Sequence, residues 1–169
     1  MPSLRIQKDL ENKIYFLTLT IHNWYYLFDR YGRFNILAKN LRFCQEKKNL
    51  QIFGFVFMLN HLHLLARSEN LIGIIRDFKS FTSKEFKKNI IATEPNVLKL
   101  FEKEEDKFQF WQKTNFPRLI ESEKFFFQKL DYIHNNPVKK QYIALPEHWI
   151  FSSANPEQDF LKISRFDEV

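Results

Sequence analysis

Residues 51–66 read Gln51-Ile52-Phe53-Gly54-Phe55-Val56-Phe57-Met58-Leu59-Asn60-His61-Leu62-His63-Leu64-Leu65-Ala66. Aromatic and β-branched side chains fill Gln51 to Phe57, and a second apolar run starts at His61. The two runs predict two strands joined by a turn around Leu59-Asn60. Side chains alternate along a strand, so His61 and His63 leave one face while Leu62 points the other way, into the core. This spacing can put two imidazoles on one metal ion without bending the backbone, on a platform of Phe55 to Met58 and Leu64-Leu65. It equally suits two polar residues on a solvated strand face, and the pair alone does not decide between them.

Upstream, Ile14 to Ile21 is β-branched and aromatic and predicts a first strand. Phe34 to Lys48 carries apolar Ile36, Leu37, Leu41 and Cys44 among Lys and Arg, the pattern of an amphipathic helix. Downstream, Leu71, Ile74, Ile75 and Phe78 recur at helical spacing and predict a helix to about Lys88. Ala92 to Asp106 is acidic and predicts a loop with a short helix. Lys107 to about Lys113 is expected as a strand, with Phe116 to Ile120 as its partner. Glu121 to Asn136 reads as a helix with Phe126, Leu130 and Ile133 on one face, stopped by Pro137. The order β-α-β-β-α-β-α predicts an α+β fold, an antiparallel sheet with helices against it, rather than a doubly wound parallel sheet. One domain is expected over residues 1–155, followed by a C-terminal tail, 156–169.

The 169 residues suffice for one domain with a real core. Most of the 20 phenylalanines are expected in that core. No apolar run reaches the ~20 residues that span a bilayer, and Met1-Pro2-Ser3-Leu4-Arg5 lacks the apolar region of a signal peptide. Cys44 is the only cysteine, which excludes an intrachain disulfide and points to the reducing cytoplasm. A net charge of +6 tilts the partner class toward nucleic acid.

On the last predicted helix Gln128, Tyr132 and Asn136 stand at i, i+4 and i+8 and stack along one side. Packed by its apolar face, that helix could aim a phenol and an amide oxygen at a common point on the sheet. Read as residues alone, Tyr132 also suits a core edge and Asn136 an ordinary helix C-terminus, before Pro137, with its side chain free to reach outward.

Together, Phe57-Met58-Leu59-Asn60-His61-Leu62-His63-Leu64-Leu65, the helix after it, Tyr132-Ile133-His134-Asn135-Asn136-Pro137-Val138-Lys139, Pro146-Glu147-His148-Trp149 and Ser152-Ser153 resemble the REP-associated tyrosine transposases. These are relatives of the single-tyrosine insertion-sequence transposases in the HUH nuclease superfamily, and the resemblance runs from near Tyr15 to Ser153. It implies the ferredoxin-like or RRM-like HUH fold. It also implies that His61 and His63 are metal ligands, that Tyr132 is the nucleophile, and that Asn136 supplies a third, amide-oxygen ligand. The implied activity is a metal-dependent endonuclease and strand transferase. It nicks single-stranded or hairpin DNA through a 5′-phosphotyrosine intermediate and rejoins it.

Such chemistry needs a covalent intermediate to conserve the energy of the broken phosphodiester. It also needs a cation to stabilise phosphoryl charge. Imidazole ligands suit Mn²⁺, and substrate oxygens would also admit Mg²⁺. Gln128 could orient the phenol or a water, whereas His134, two residues on, points away from Tyr132. For DNA grip the candidates are Arg76, Lys79, Lys84, Lys87 and Lys88, with a solvated helix face as the alternative. Trp24, Tyr25 and Tyr26 could stack bases but are expected to pack under a loop. The chain is expected as a monomer or homodimer, without a membrane partner. Two other classes stay open on the residues alone. One is a non-catalytic nucleic-acid-binding module. The other is a hydrolase of small phosphoesters, which would need an acidic ligand such as Glu69.

Overall fold

The computed structural model describes Ile6 and residues 12–168; the N-terminal Met1-Pro2-Ser3-Leu4-Arg5 stretch lies outside the described residues. Its main sheet joins β1 (Tyr15–Thr20), β2 (Gln51–Phe57), β3 (His61–Arg67) and β6 (Arg118–Leu119) in the order β2-β3-β1-β6. All three pairings are antiparallel. Helices α1 (Arg33–Lys48) and α2 (Leu71–Thr93) cover one face, and α3 (Glu123–Lys139) covers the other. This is the expected α+β architecture.

Period-two alternation separates the two cores. Leu17, Leu19, Leu62 and Leu64 point to α1 and α2, where Phe78 and Phe86 complete the larger cluster. Phe16, Val56 and Leu65 point the other way, to Phe126 and Ile133 of α3. Arg33 is wholly buried under the first cluster and bonds Glu94 at 2.6 Å, Asn89 at 2.9 Å and the Leu27 carbonyl at 3.1 Å. It ties the start of α1 to the end of α2.

Three features of the chain differ from the sequence expectation. Residues 107–113 do not form one strand paired with 116–120. Only Lys107–Phe108 is strand (β5), paired with β4 (Glu102–Glu104), while Arg118–Leu119 pairs with β1. Between them Phe116 takes a φ of 44° and Pro117 offers no N–H, so the ladder is interrupted. The stretch nevertheless follows β1, with Gln112 N donating to Thr20 O at 2.8 Å and Thr18 N to Asn115 O at 2.8 Å.

Second, α3 does not stop before Pro137 but runs through it to Lys139. Only one donor is lost, in the final turn, and Lys140 N still reaches Asn136 O.

Third, the expected tail is attached. Ser164 N donates to Ile52 O, Leu161 enters the larger core, and the Phe166 ring packs at a tilt on Phe126, 4.8 Å between centres. Residues 151–164 thereby cover the outer edge of β2, where Phe57 N and Ser153 N bond Phe151 O and Phe55 O. An exposed edge of this kind is otherwise a template for aggregation. No helix among the described residues is long and apolar enough to cross a membrane.

Candidate active site

The α3 face of the sheet carries polar residues where the opposite face is apolar. Thr18 pairs with His63, and Thr20 with His61, across the β1–β3 ladder. Directly opposed antiparallel residues share a face, so two threonines and two imidazoles form a polar square in the centre of the sheet. Helix α3 is docked beside it by Leu130 against Gly54 of β2. A methyl at Gly54 would come within 2.5 Å of Leu130 Cδ1 and force that side chain to move. The Ser122 hydroxyl caps the helix by accepting from Phe125 N.

Docked in this way, α3 brings Tyr132 and Asn136 to the histidines. The His61 and His63 rings lie 4.8 Å apart, and the Tyr132 ring meets His63 edge-on at 5.3 Å. All four residues line one cavity of about 490 Å³ within a single chain. Asn136 does not reach outward from a helix end. It lies inside α3 with its residue 6% exposed, because the helix continues past it.

Hydrogen bonding fixes which imidazole atoms are free. The Asn60 amide donates through Nδ2 to Trp24 O at 2.8 Å, so its oxygen faces His61 Nδ1, also at 2.8 Å. An amide oxygen only accepts, so Nδ1 carries the proton and Nε2 of His61 keeps its lone pair. His63 Nδ1 hydrogen-bonds the Thr18 hydroxyl at 2.9 Å, while its Nε2 is buried without a partner. The Asn136 side chain likewise makes no hydrogen bond among the described residues. Buried polar atoms are ordinarily partnered, so the vacancy at His63 Nε2 asks for a ligand. Arg30 Nε and Asn115 Oδ1 are also buried without a hydrogen bond, but Arg30 Nε has the Asp29 and Glu94 carboxylates each 3.7 Å away, and neither atom lines this cavity.

Burial holds both imidazoles neutral. His61 is lowered to about 4 by desolvation and then by the charge of Lys140. His63 is lowered to about 3 by desolvation, with His61 and Lys129 adding to it and a backbone bond to Leu17 opposing it. Neutral imidazoles with free lone pairs are competent metal ligands. No cluster of three His, Cys, Asp or Glu residues suited to a metal occurs among the described residues. The donor set the cavity offers is therefore two imidazole nitrogens and the Asn136 amide oxygen, with sheet and helix supplying one side each.

Lysines surround the phenol. The ammonium groups of Lys129 and Lys139 stand 5.3 and 5.5 Å from the centre of the Tyr132 ring, and Lys139 and Lys140 line the cavity. Sequence reasoning passed over Lys129 and Lys139, although i−3 and i+7 place them on the Tyr132 side of a helix. It passed over Thr18 and Thr20 as well; their i, i+2 spacing mirrors that of the histidines. No carboxylate lines the cavity. Glu69 lines a different cavity, at the far end of β2 and β3.

Other candidates fall elsewhere. Gln128 is exposed and outside the cavity. His134 is turned to Ser153 at 2.8 Å, where it supports the segment on β2. Arg76, Lys79, Lys84, Lys87 and Lys88 all sit on α2, on the opposite side of the sheet. Arg76 pairs with Asp77, and the Lys79 ammonium donates to Gln112 O at 2.7 Å. Lys84 and Lys87 lie over Phe81 and Phe108. Tyr25 packs edge-on against Phe101 as expected, but Trp24 and Tyr26 are exposed and border the cavity.

No protein-family model matches the chain. It is 25% identical over 145 residues to the Haemophilus influenzae protein named "Putative REP-associated tyrosine transposase", covering 83% of this chain and 78% of that one. A solved structure of a REP-associated tyrosine transposase bound to a REP hairpin superposes with a TM-score of 0.67 at 16% identity, over 97% of this chain and 96% of the other. In sequence over most of its length, and in fold over nearly all of it, the chain is similar to the REP-associated tyrosine transposases.

Proposed function

We propose that the protein nicks and rejoins single-stranded or hairpin DNA, with Tyr132 as nucleophile. The observation that carries this reading is the convergence, in one cavity, of a phenol, two neutral imidazoles, one with a buried unpartnered nitrogen, and the Asn136 amide, with Lys139 and Lys140 in the lining and no carboxylate. Similarity to the transposase relatives agrees with it.

The Tyr132 oxygen attacks phosphorus, and the bond from phosphorus to the 3′-oxygen breaks. The products are a DNA 3′-hydroxyl, which takes up a proton, and a 5′-phosphotyrosine on the protein. Attack by a later 3′-hydroxyl on that linkage frees Tyr132 and seals a new junction. Lys129 and Lys139 lie over the Tyr132 ring, and Lys139 and Lys140 line the cavity, so positive charge stands beside the site where phosphoryl charge would gather. His61, His63 and Asn136 fit a divalent ion, Mn²⁺ or Mg²⁺, which would polarise the non-bridging phosphate oxygens when bound. Asn60 holds His61 in the tautomer such binding requires, and Thr18 orients the His63 ring. The single buried Cys44 accords with a cytoplasmic location.

A hairpin oligonucleotide with single-stranded flanks tests the reading on a denaturing gel. A covalent protein–DNA band is expected with Mn²⁺ or Mg²⁺ and not with chelator. Tyr132→Phe should lower cutting at least about a thousandfold while retaining DNA binding. Cutting undiminished in Tyr132→Phe would overturn the assignment.

A further inference from the structure

Beyond the nucleophile and its ligands, the cavity has an aromatic wall that the chemistry above leaves unused. Trp24 is 67% exposed and Tyr26 51% exposed, and both line the cavity beside His61. Tyr142, from the chain just after α3, completes the wall and stacks on Trp149 at 5.7 Å.

The turn that presents Trp24 is held against its own preference. Asn23 and Trp24 both take left-handed backbone angles, with φ of 57° and 53°. For an aromatic residue this conformation is unfavourable, on the order of 1–3 kcal/mol. Trp24 O accepts from Asn60 Nδ2 at 2.8 Å and Trp24 N donates to Ile21 O at 3.0 Å. The amide that fixes the His61 tautomer therefore also fixes the turn carrying Trp24. Yet the indole meets no other ring among the described residues, whereas neighbouring Tyr25 is packed on Phe101. The turn keeps a large flat side chain in solvent at the cavity mouth.

We infer that Trp24, with Tyr26, is a stacking subsite for an unpaired nucleobase flanking the phosphate that Tyr132 attacks. The inference rests on the nuclease reading and adds the part of the substrate that is recognised. Charge selects the occupant: Lys139 and Lys140 line the same cavity, so a ligand bearing phosphates and a planar ring fits both walls. A duplex keeps its base faces stacked inside and cannot meet the indole. The subsite thus favours single-stranded flanks over paired stems.

Binding of a short thymidine oligomer, and of an equally long oligomer of abasic residues, separates stacking from charge without any cutting. Trp111 is buried and Trp149 donates to Phe57 O, so oligomer-dependent quenching can be assigned by subtracting the Trp24→Phe signal. Thymidine is expected to quench Trp24. Trp24→Ala should bind it roughly 5- to 150-fold more weakly, with Trp24→Phe retaining most of the affinity and the abasic oligomer binding all three proteins alike. Equal wild-type affinity for both oligomers, or equal losses in the Phe and Ala variants, would overturn the inference. If instead the hairpin forms no covalent adduct while these binding results hold, the nuclease reading fails and the stacking subsite stands.

Discussion

On the sheet face covered by α1 and α2, the buried Arg33 finds Glu94, Asn89, Thr93 and the Leu27 carbonyl, and the buried Thr82 hydroxyl donates to Phe78 O and accepts from Trp111 Nε1. On the α3 face, His63 Nε2 is buried without a partner. The same three central strands build both faces. One face uses its polar groups to close the fold, and the other leaves them open at the price of stability. Unfilled hydrogen-bonding capacity, more than burial or charge, marks which face does chemistry.

This contrast can be broken at either face. The largest stability effect is expected at Arg33: Arg33→Met removes the shorter of two ion pairs to Glu94, leaving it only Arg30 at 3.7 Å, and strips the bonds to Asn89 and the Leu27 carbonyl, which together should cost about 3 kcal/mol in urea unfolding. Covalent adduct formation per folded molecule should be unchanged; a selective loss of chemistry would erase the distinction between the faces.

A smaller effect is expected in acid. Both site histidines have folded pKa values below the ordinary 6.5, so the unfolded chain binds more protons than the folded one as pH falls below that value. Stability should therefore drop from about pH 6.5 toward pH 4 as the unfolded chain's imidazoles protonate first. His63→Phe, which keeps an aromatic ring against Phe16, should flatten that drop. An unaltered acid profile in the variant would place the acid sensitivity elsewhere.

The smallest effect concerns DNA grip. Lys140 lines the cavity and Lys88 is on the far layer. Lys140→Gln should reduce the salt slope of single-strand binding by roughly 0.7, and Lys88→Gln should leave it unchanged. The reverse result would put the DNA path across α2.

The sheet and helices were legible because periodicity records which way side chains face: the strands at 51–57 and 61–67 and the helix at 33–48 lie within a residue of where pattern put them. The edge segment was not. Residues 110–116 follow β1 through scattered backbone bonds, which leave no side-chain period, and the 156–167 segment is held by carbonyls of Phe160 and Lys162 that any residue would offer. In the site, His61, His63, Tyr132 and Asn136 could be named because spacing and resemblance coincide. Thr18 and Asn60 could not, because their role lies in a cross-strand register and a side-chain turn that only the folded chain displays. That the α2 lysines lie across the sheet from the cavity was not legible, because a charged helix face reads identically whichever side of the sheet it covers.

The most direct test is to digest the covalent adduct formed with a flanked hairpin and locate the DNA-bearing peptide. The account predicts that the nucleotide is carried by Tyr132, in the peptide from α3. Attachment to another residue, or cleavage with no attached DNA at all, would contradict it.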